Sequence, residues 1–349
     1  MTELDYPFDR TLPDPGTILP VAPGVYWLRM PLPFQLSHIN LWLLDDGDGW
    51  TIVDCGYGSD ETRALWQQIF DTQLAGRPVR RIVVTHDHPD HIGLADWLAC
   101  RFEVPVWMTA GEYFAAHLVW RDLGGFSGEE LAAHFHRHGI SEETRHLLLS
   151  GGNSYTRGVP SLPASYHRLR EGSMLNMGGA RWEVIIGYGH SPEHAALYCA
   201  EKRVLIAGDM LLPTISTNVG SWPAEPEGDP VQLFLDSITR FETLPEDTLV
   251  LPSHGRPFRG IQPRVEALRL HHQERLQLLV DSCEQPRTAF ELIPILFGRD
   301  FDLYQTFFAL AECVAHLNHL WHTGRLLRHA DDQGVLRFGR ASGIRAVNA

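Results

Sequence analysis

Residues 85–91 read Thr-His-Asp-His-Pro-Asp-His, directly after the strand-like run Arg81-Ile82-Val83-Val84. No other stretch limits the chain so sharply. A strand that ends in such a turn can aim His86 and His88 into one cavity, with Asp90 and His91 facing a neighbouring point. Neutral imidazole and carboxylate are the usual ligands of zinc and similar divalent ions. A single loop histidine is ordinarily a surface or core residue. Three of them at spacings of two and three, with an aspartate between, point to metal.

Residues 24–30, 39–44 and 50–54 read as short strands, the last two separated by the turn at 45–49. Leu65, Ile69 and Phe70 recur at helical spacing within 60–74, after Ser59 as a plausible cap. A strand at 81–84, a helix at 91–101 and a strand at 104–108 follow. Residues 110–165 break the alternation: 112–123, 128–138 and 141–149 look helical, and a Gly/Ser/Pro-rich stretch runs on to Pro163. Long inserts in compact domains usually serve function or are disordered. Tyr113, Phe114, Leu118, Trp120 and Phe126 favour an ordered apolar lid over the site entrance, with a plain packing helix pair as the alternative.

The histidine run resembles the His-x-His-x-Asp-His signature of the metallo-β-lactamase superfamily, and further stations follow in order. Asp54 lies in Ile52-Val53-Asp54-Cys55-Gly56, His190 in Gly189-His190-Ser191-Pro192-Glu193-His194, Asp209 in Ile206-Ala207-Gly208-Asp209, and His254 in Leu251-Pro252-Ser253-His254-Gly255. The likeness covers roughly residues 20–260. It implies an α/β fold, the four-layer αβ/βα metallo-β-lactamase sandwich, with the site at one edge between two sheets. It also implies that His86, His88 and His190 hold one metal, that Asp90, His91 and His254 hold a second, and that Asp209 and a hydroxide bridge the two. Zinc is the first expectation, with manganese or iron as alternatives. Asp90 would be the catalytic carboxylate, and Asp54 would support the metal loop by hydrogen bonds. The ligand should be His190, with His194 on the strand that follows. Glu193 stands where glyoxalase-like members often have glycine.

Asp209 matches dinuclear hydrolases such as thioesterases, lactonases and phosphodiesterases, where true β-lactamases generally carry Cys or His. The resemblance therefore implies a metal-dependent hydrolase that cleaves a thioester or lactone with an apolar acyl group. An endoribonuclease or other phosphodiesterase is the alternative enzyme, and a metal-retaining regulatory protein the alternative of another class. No basic cluster suggests a glutathione clamp.

Beyond residue 262 the strands stop, and helices at 264–283, 288–296 and 303–323 precede a hairpin at 325–338 around Asp331-Asp332-Gln333-Gly334. This tail resembles the winged-helix domain of a β-lactamase-like branch, which divides the chain into a catalytic domain at 1–262 and a winged-helix-like domain at 263–349. Residues 284–349 hold seven Arg against seven Asp or Glu, and the whole chain carries a formal charge of −14. Both balances argue against nucleic acid and anionic membranes as partners. A small-molecule substrate is expected, and a homo-oligomer stays open. Five cysteines without a Cys-x-x-Cys pair, and an acidic start without an apolar run, suggest a reduced cytoplasmic setting. Solvated or satisfied helix histidines are the economical account of His134, His136 and His138, of His316, His319 and His322, and of His271-His272.

Overall fold

The computed structural model describes residues 4–34, 36–299 and 301–341. In chain order it opens with β1 (Leu19–Ala22), β2 (Val25–Pro31), β3 (His38–Asp45), β4 (Trp50–Val53), α1 (Asp60–Thr72) and β5 (Val79–Val83). Next come α2 (Pro89–Ile92), α3 (Ala95–Phe102), β6 (Val106–Met108), α4 (Ala110–Trp120), α5 (Gly128–Arg137), α6 (Glu142–Ser150) and α7 (Tyr155–Gly158). Then follow β7 (His167–Arg168), β8 (Met174–Met177), β9 (Ala180–Gly187), β10 (His194–Cys199), β11 (Val204–Gly208), α8 (Pro230–Phe241) and β12 (Leu249–Pro252). The chain closes with α9 (Ile261–Ser282), α10 (Ala289–Phe297), α11 (Leu303–His322), β13 (Leu326–Ala330) and β14 (Leu336–Arg340).

Two compact units emerge. One comprises residues 1–120, 153–217 and 237–265; the other comprises 121–152, 218–236 and 266–349. The first contains a seven-stranded sheet ordered β1 to β7 and a five-stranded sheet ordered β12-β11-β10-β9-β8. Period-two alternation divides its side chains between two cores. Trp27, Trp42 and Val83 of the first sheet meet Trp182, Val184, Leu197 and Ile206 of the second. The opposite residues Leu28, Leu41 and Ile82 pack on Trp66 and Ile69 of α1 and Leu98 of α3. On the outer side of the second sheet, Arg240 of α8 donates to the Ile186 carbonyl at 2.7 Å. Strands buried on both faces read as unbroken apolar runs, as β11 does. This is the expected layered sandwich, with a helical insert between β6 and β7.

Ser59 caps α1 by accepting from Thr62 N, and Asp60 and Glu61 favour that end of the helix dipole. The helix anticipated at 91–101 is broken into α2 and α3 around Gly93. There the backbone is pressed so closely that a Cβ would lie 2.4 Å from the Pro89 carbonyl oxygen and 2.5 Å from those of Gly56 and Gly158. Helical spacing continues across this point, so periodicity alone could not reveal the break.

The second unit has its own core, in which Phe135 and Ile140 join Leu279, Leu292, Leu310, Val314 and Phe338. Capping boxes at Thr288/Glu291 and Asp302/Gln305 start α10 and α11. β13 and β14 form an antiparallel hairpin. Among the described residues, no helix is long and apolar enough to cross a membrane.

Candidate metal centre

Asp54 organises the histidine loop. Thr85 donates to it twice, from N to Oδ1 and from Oγ1 to Oδ2, each at 2.8 Å, and His91 Nδ1 lies 2.8 Å from Oδ2. Asp54 itself sits at φ +61°, a left-handed conformation uncommon for a residue with a Cβ. With Nδ1 tied to Asp54, His91 turns Nε2 inward. His254 is oriented in the same way, its Nδ1 donating to the His38 carbonyl at 2.9 Å.

Seven side chains converge as two groups, His86, His88, His190 and Asp209 in one and Asp90, His91 and His254 in the other, with the ligand atoms of each group within 4.8 Å of one another. The Asp209 carboxylate lies between them. Its Oδ2 is 3.6 Å from His190 Nε2 and 3.6 Å from His254 Nε2, and its Oδ1 is 3.6 Å from His91 Nε2. Asp90 Oδ2 stands 3.4 Å from His254 Nε2.

A family model described as "Metallo-beta-lactamase superfamily" matches residues 35–254, and one described as "Metallo-beta-lactamase-like, C-terminal domain" matches 276–341. The chain belongs to the metallo-β-lactamase superfamily. It is 50% identical to a solved beta-lactamase domain protein from Burkholderia ambifaria, over 97% of this chain and 98% of that one, with a TM-score of 0.91. It is 27% identical to "Probable metallo-hydrolase YqjP" of Bacillus subtilis (strain 168), over 84% of this chain and 91% of the relative. It is also 26% identical to the hydroxyacylglutathione hydrolase GloC of Haemophilus influenzae, over 64% and 86% of the two chains. The protein is thus a metal-dependent hydrolase.

The residues fit the divalent cations that the superfamily implies. His91 Nε2 and Asp209 Oδ1 are fully buried without a hydrogen-bond partner, as atoms that face a metal ion would be. Burial and the surrounding imidazoles hold His86 well below its usual pKa, and burial with His190 presses His88 to about 3. Burial opposes a charge on His91 too, but Asp54, Asp90 and Asp209 hold it up to about 9. Burial likewise opposes ionisation of Asp90 and Asp209, yet nearby imidazoles hold Asp90 at about 2 and Asp209 well below the carboxylate range.

Residues outside the signature complete the frame. His194 opens β10, and its Nε2 accepts from Asp209 N at 3.1 Å. Gly208 makes that approach feasible: it sits at φ +55°, and a Cβ there would come within 2.3 Å of His194 Nε2. Glu112, fully buried on α4, accepts from Asp87 N, Ser191 Oγ and Glu193 N. Burial lifts Asp87 to about 6 and Glu112 well above its usual value, where Asp87 adds to the rise. The Tyr155 hydroxyl donates to the Asp87 carbonyl at 2.6 Å. Neither Glu112 nor Tyr155 stands near the signature in sequence, and no local pattern marks them.

The lid candidates divide. Tyr113 donates to the Ala164 carbonyl and stacks on Tyr166 at 4.1 Å, and Trp120 donates to the Val159 carbonyl; both pack on the helix-side core. Phe114 and Leu118 are exposed. Phe126 is half-buried and belongs to the second unit. His134 and His138 share a helix face as anticipated, but they are neither solvated nor fully satisfied. Both are buried with rings 4.8 Å apart, and His134 Nε2 and His138 Nδ1 lack partners. Among the described residues neither joins a group of three metal-capable side chains.

Proposed function

We propose a dinuclear hydrolase that cleaves a thioester or lactone bearing an apolar acyl group. The position of Asp209, 3.6 Å from nitrogens of both ligand groups, carries this reading. His86, His88 and His190 would hold one divalent ion, zinc first among the candidates; Asp90, His91 and His254 would hold a second; Asp209 would serve both. When bound, such a pair of ions polarises a carbonyl and acidifies water. Asp90 keeps its negative charge in this surrounding, so its carboxylate can orient the attacking water by accepting its hydrogen bond. As the water oxygen bonds to the acyl carbon, Asp90 takes its proton and then passes it to the leaving sulfur or oxygen as the acyl bond breaks. Asp54 would serve by fixing Thr85 and His91.

Apolar surface near the site supports the acyl preference. Phe34 meets Tyr57 edge-on at 5.4 Å, in segments that adjoin His38 and Asp54. Phe114 and Leu118 project from α4, whose first turn is bonded to the His190 loop. The thioester class is also the one named in the Haemophilus relative. An assay of acyl-CoA thioesters, homoserine lactones and single-stranded RNA with zinc, manganese and iron tests the reading. Turnover of RNA alone would replace it with the phosphodiesterase alternative.

For the tail we keep the division at 262/263 and a winged-helix-like domain that packs rather than reads DNA, in a cytoplasmic protein free to self-associate. The neutral charge of 284–349 supports this, although its compact unit also takes in 121–152 and 218–236. Binding to duplex DNA at physiological salt should be no tighter than micromolar; sub-micromolar, sequence-dependent binding would overturn the assignment.

A further inference from the structure

The first ligand group draws on both sheets. His86 and His88 follow β5, whereas His190 follows β9 and Asp209 follows β11. Something must fix the spacing of loops that share no strand pairing. For the second group that tie is visible: Asn40 of β3 donates to the Pro252 carbonyl at 2.8 Å and to the Gly255 carbonyl at 3.0 Å, on either side of His254.

We propose that Glu112 is the corresponding positioning residue for the first group. Its Oε2 accepts from Asp87 N at 2.9 Å, between His86 and His88. Its Oε1 accepts from Ser191 Oγ at 2.7 Å and Glu193 N at 2.6 Å, just beyond His190. One carboxyl group therefore spans the two loops. Glu193 reciprocates, its carboxylate accepting from Gly111 N at 2.8 Å while its carbonyl accepts from Thr109 Oγ1 at 2.8 Å. This gives the glutamate at a station often filled by glycine a reason to be there: it secures the start of α4, and with it Glu112. Glu112 is fully buried, so water cannot replace these bonds cheaply if they are lost.

The inference rests on the metal reading above, and the experiment separates the two. Full-length wild type, Glu112→Gln and Ser191→Ala are stripped of metal and titrated with zinc against a chromophoric chelator. Glutamine leaves either Asp87 N or the Ser191 and Glu193 donors facing an NH2 group, whereas Ser191→Ala removes a single bond and is the gentler variant should Glu112→Gln fold poorly. Glu112→Gln should weaken one zinc equivalent by roughly tenfold or more and leave the other within about threefold, with Ser191→Ala in the same direction and smaller. Amide exchange in the metal-free protein should quicken about tenfold at 86–88 and 190–193 together. Fewer than two equivalents in wild type defeats the dinuclear reading. Two equivalents in wild type, with unchanged zinc affinity in both variants, overturns the role of Glu112 alone. So does an equal loss at both equivalents with faster exchange throughout the fold, which would mark a general structural part.

Discussion

The metal centre and the polar cluster of the second unit are both buried gatherings of histidine and carboxylate, yet they are built on opposite rules. In that polar cluster donors face acceptors. His316 Nδ1 donates to the Glu312 carbonyl at 2.7 Å, which leaves Nε2 to accept from His272 Nδ1 at 3.0 Å. Asn218 donates to Glu312 at 3.1 Å, and His319 meets Asp229 at 3.1 Å. The atoms left over, His272 Nε2 and Asn318 Oδ1, belong to no metal-capable group among the described residues. In the candidate metal centre the nitrogens and oxygens converge instead of pairing off: His190 Nε2 lies 3.2 Å from His86 Nε2, and Asp209 Oδ2 stands 3.6 Å from nitrogens of both His190 and His254. Burial alone does not decide the charge state. It lifts Glu312 to about 7 against Arg275 and Asn218, whereas the imidazoles around Asp90 overcome it and hold that group at about 2. A count of buried histidines therefore says little. What distinguishes a ligand set is ring nitrogens and carboxylate oxygens that converge on a common point rather than pair off.

Stripping the metal is the strongest way to break this contrast. Elemental analysis of gently purified protein should give two equivalents, and chelation should abolish turnover. Chelation should also cost stability, about 4 kcal/mol for each ion relative to free metal at a thousand times Kd. His86→Ala should lose metal, whereas His316→Gln should retain it. One equivalent with full turnover would sink the dinuclear assignment. Next in size, Asp90→Asn should lower turnover by at least roughly 10²-fold, about 2.7 kcal/mol of barrier. A near-wild-type rate would remove Asp90 from proton transfer.

How far each region was legible follows from the range of its contacts. His86 to His91 lie on one short loop, so their chemistry is visible locally, and His190, Asp209 and His254 could be placed through family stations. The tail hairpin was marked by its Asp-Asp-Gln-Gly turn, and β13 and β14 flank it. Glu112 was illegible because its partners lie 25 and 79 to 81 positions away. Equally hidden was the joining of 121–152 and 218–236 to the tail, which depends on packing such as Phe135 stacked on Phe307 with centroids 5.6 Å apart. No period in the sequence reports such a pair.

The second unit can be tested through its own carboxyl. Glu312 rises from 4.5 to about 7 on folding, so the folded state holds its proton longer than the unfolded chain does. Its contribution is fully present below pH 4.5 and is lost as pH climbs through about 7, a change of about 3 kcal/mol. Melting of wild type should therefore weaken between pH 5 and 8 by more than melting of Glu312→Gln. Parallel curves would show that Glu312 ionises freely and that the cluster is wetter than its burial suggests.

The smallest effect concerns the apolar rim. Tyr113 and Trp120 hold α4 through their bonds to the 164 and 159 carbonyls, so truncating them would disturb the helix rather than report on substrate. Phe114, 57% exposed on the same helix, can be removed without that cost. If an acyl chain covers about 40 Å² of its ring, the contact stabilises the complex by about 1 kcal/mol, close to fivefold in kcat/KM. Across a thioester or lactone series of rising chain length, wild-type kcat/KM should climb. Phe114→Ala should flatten the climb by about that factor, with metal content unchanged. A flat wild-type series would deny the rim any part in recognition. A steep series that Phe114→Ala leaves intact would transfer the role to Phe34 and Tyr57, on the other segments that adjoin the metal centre.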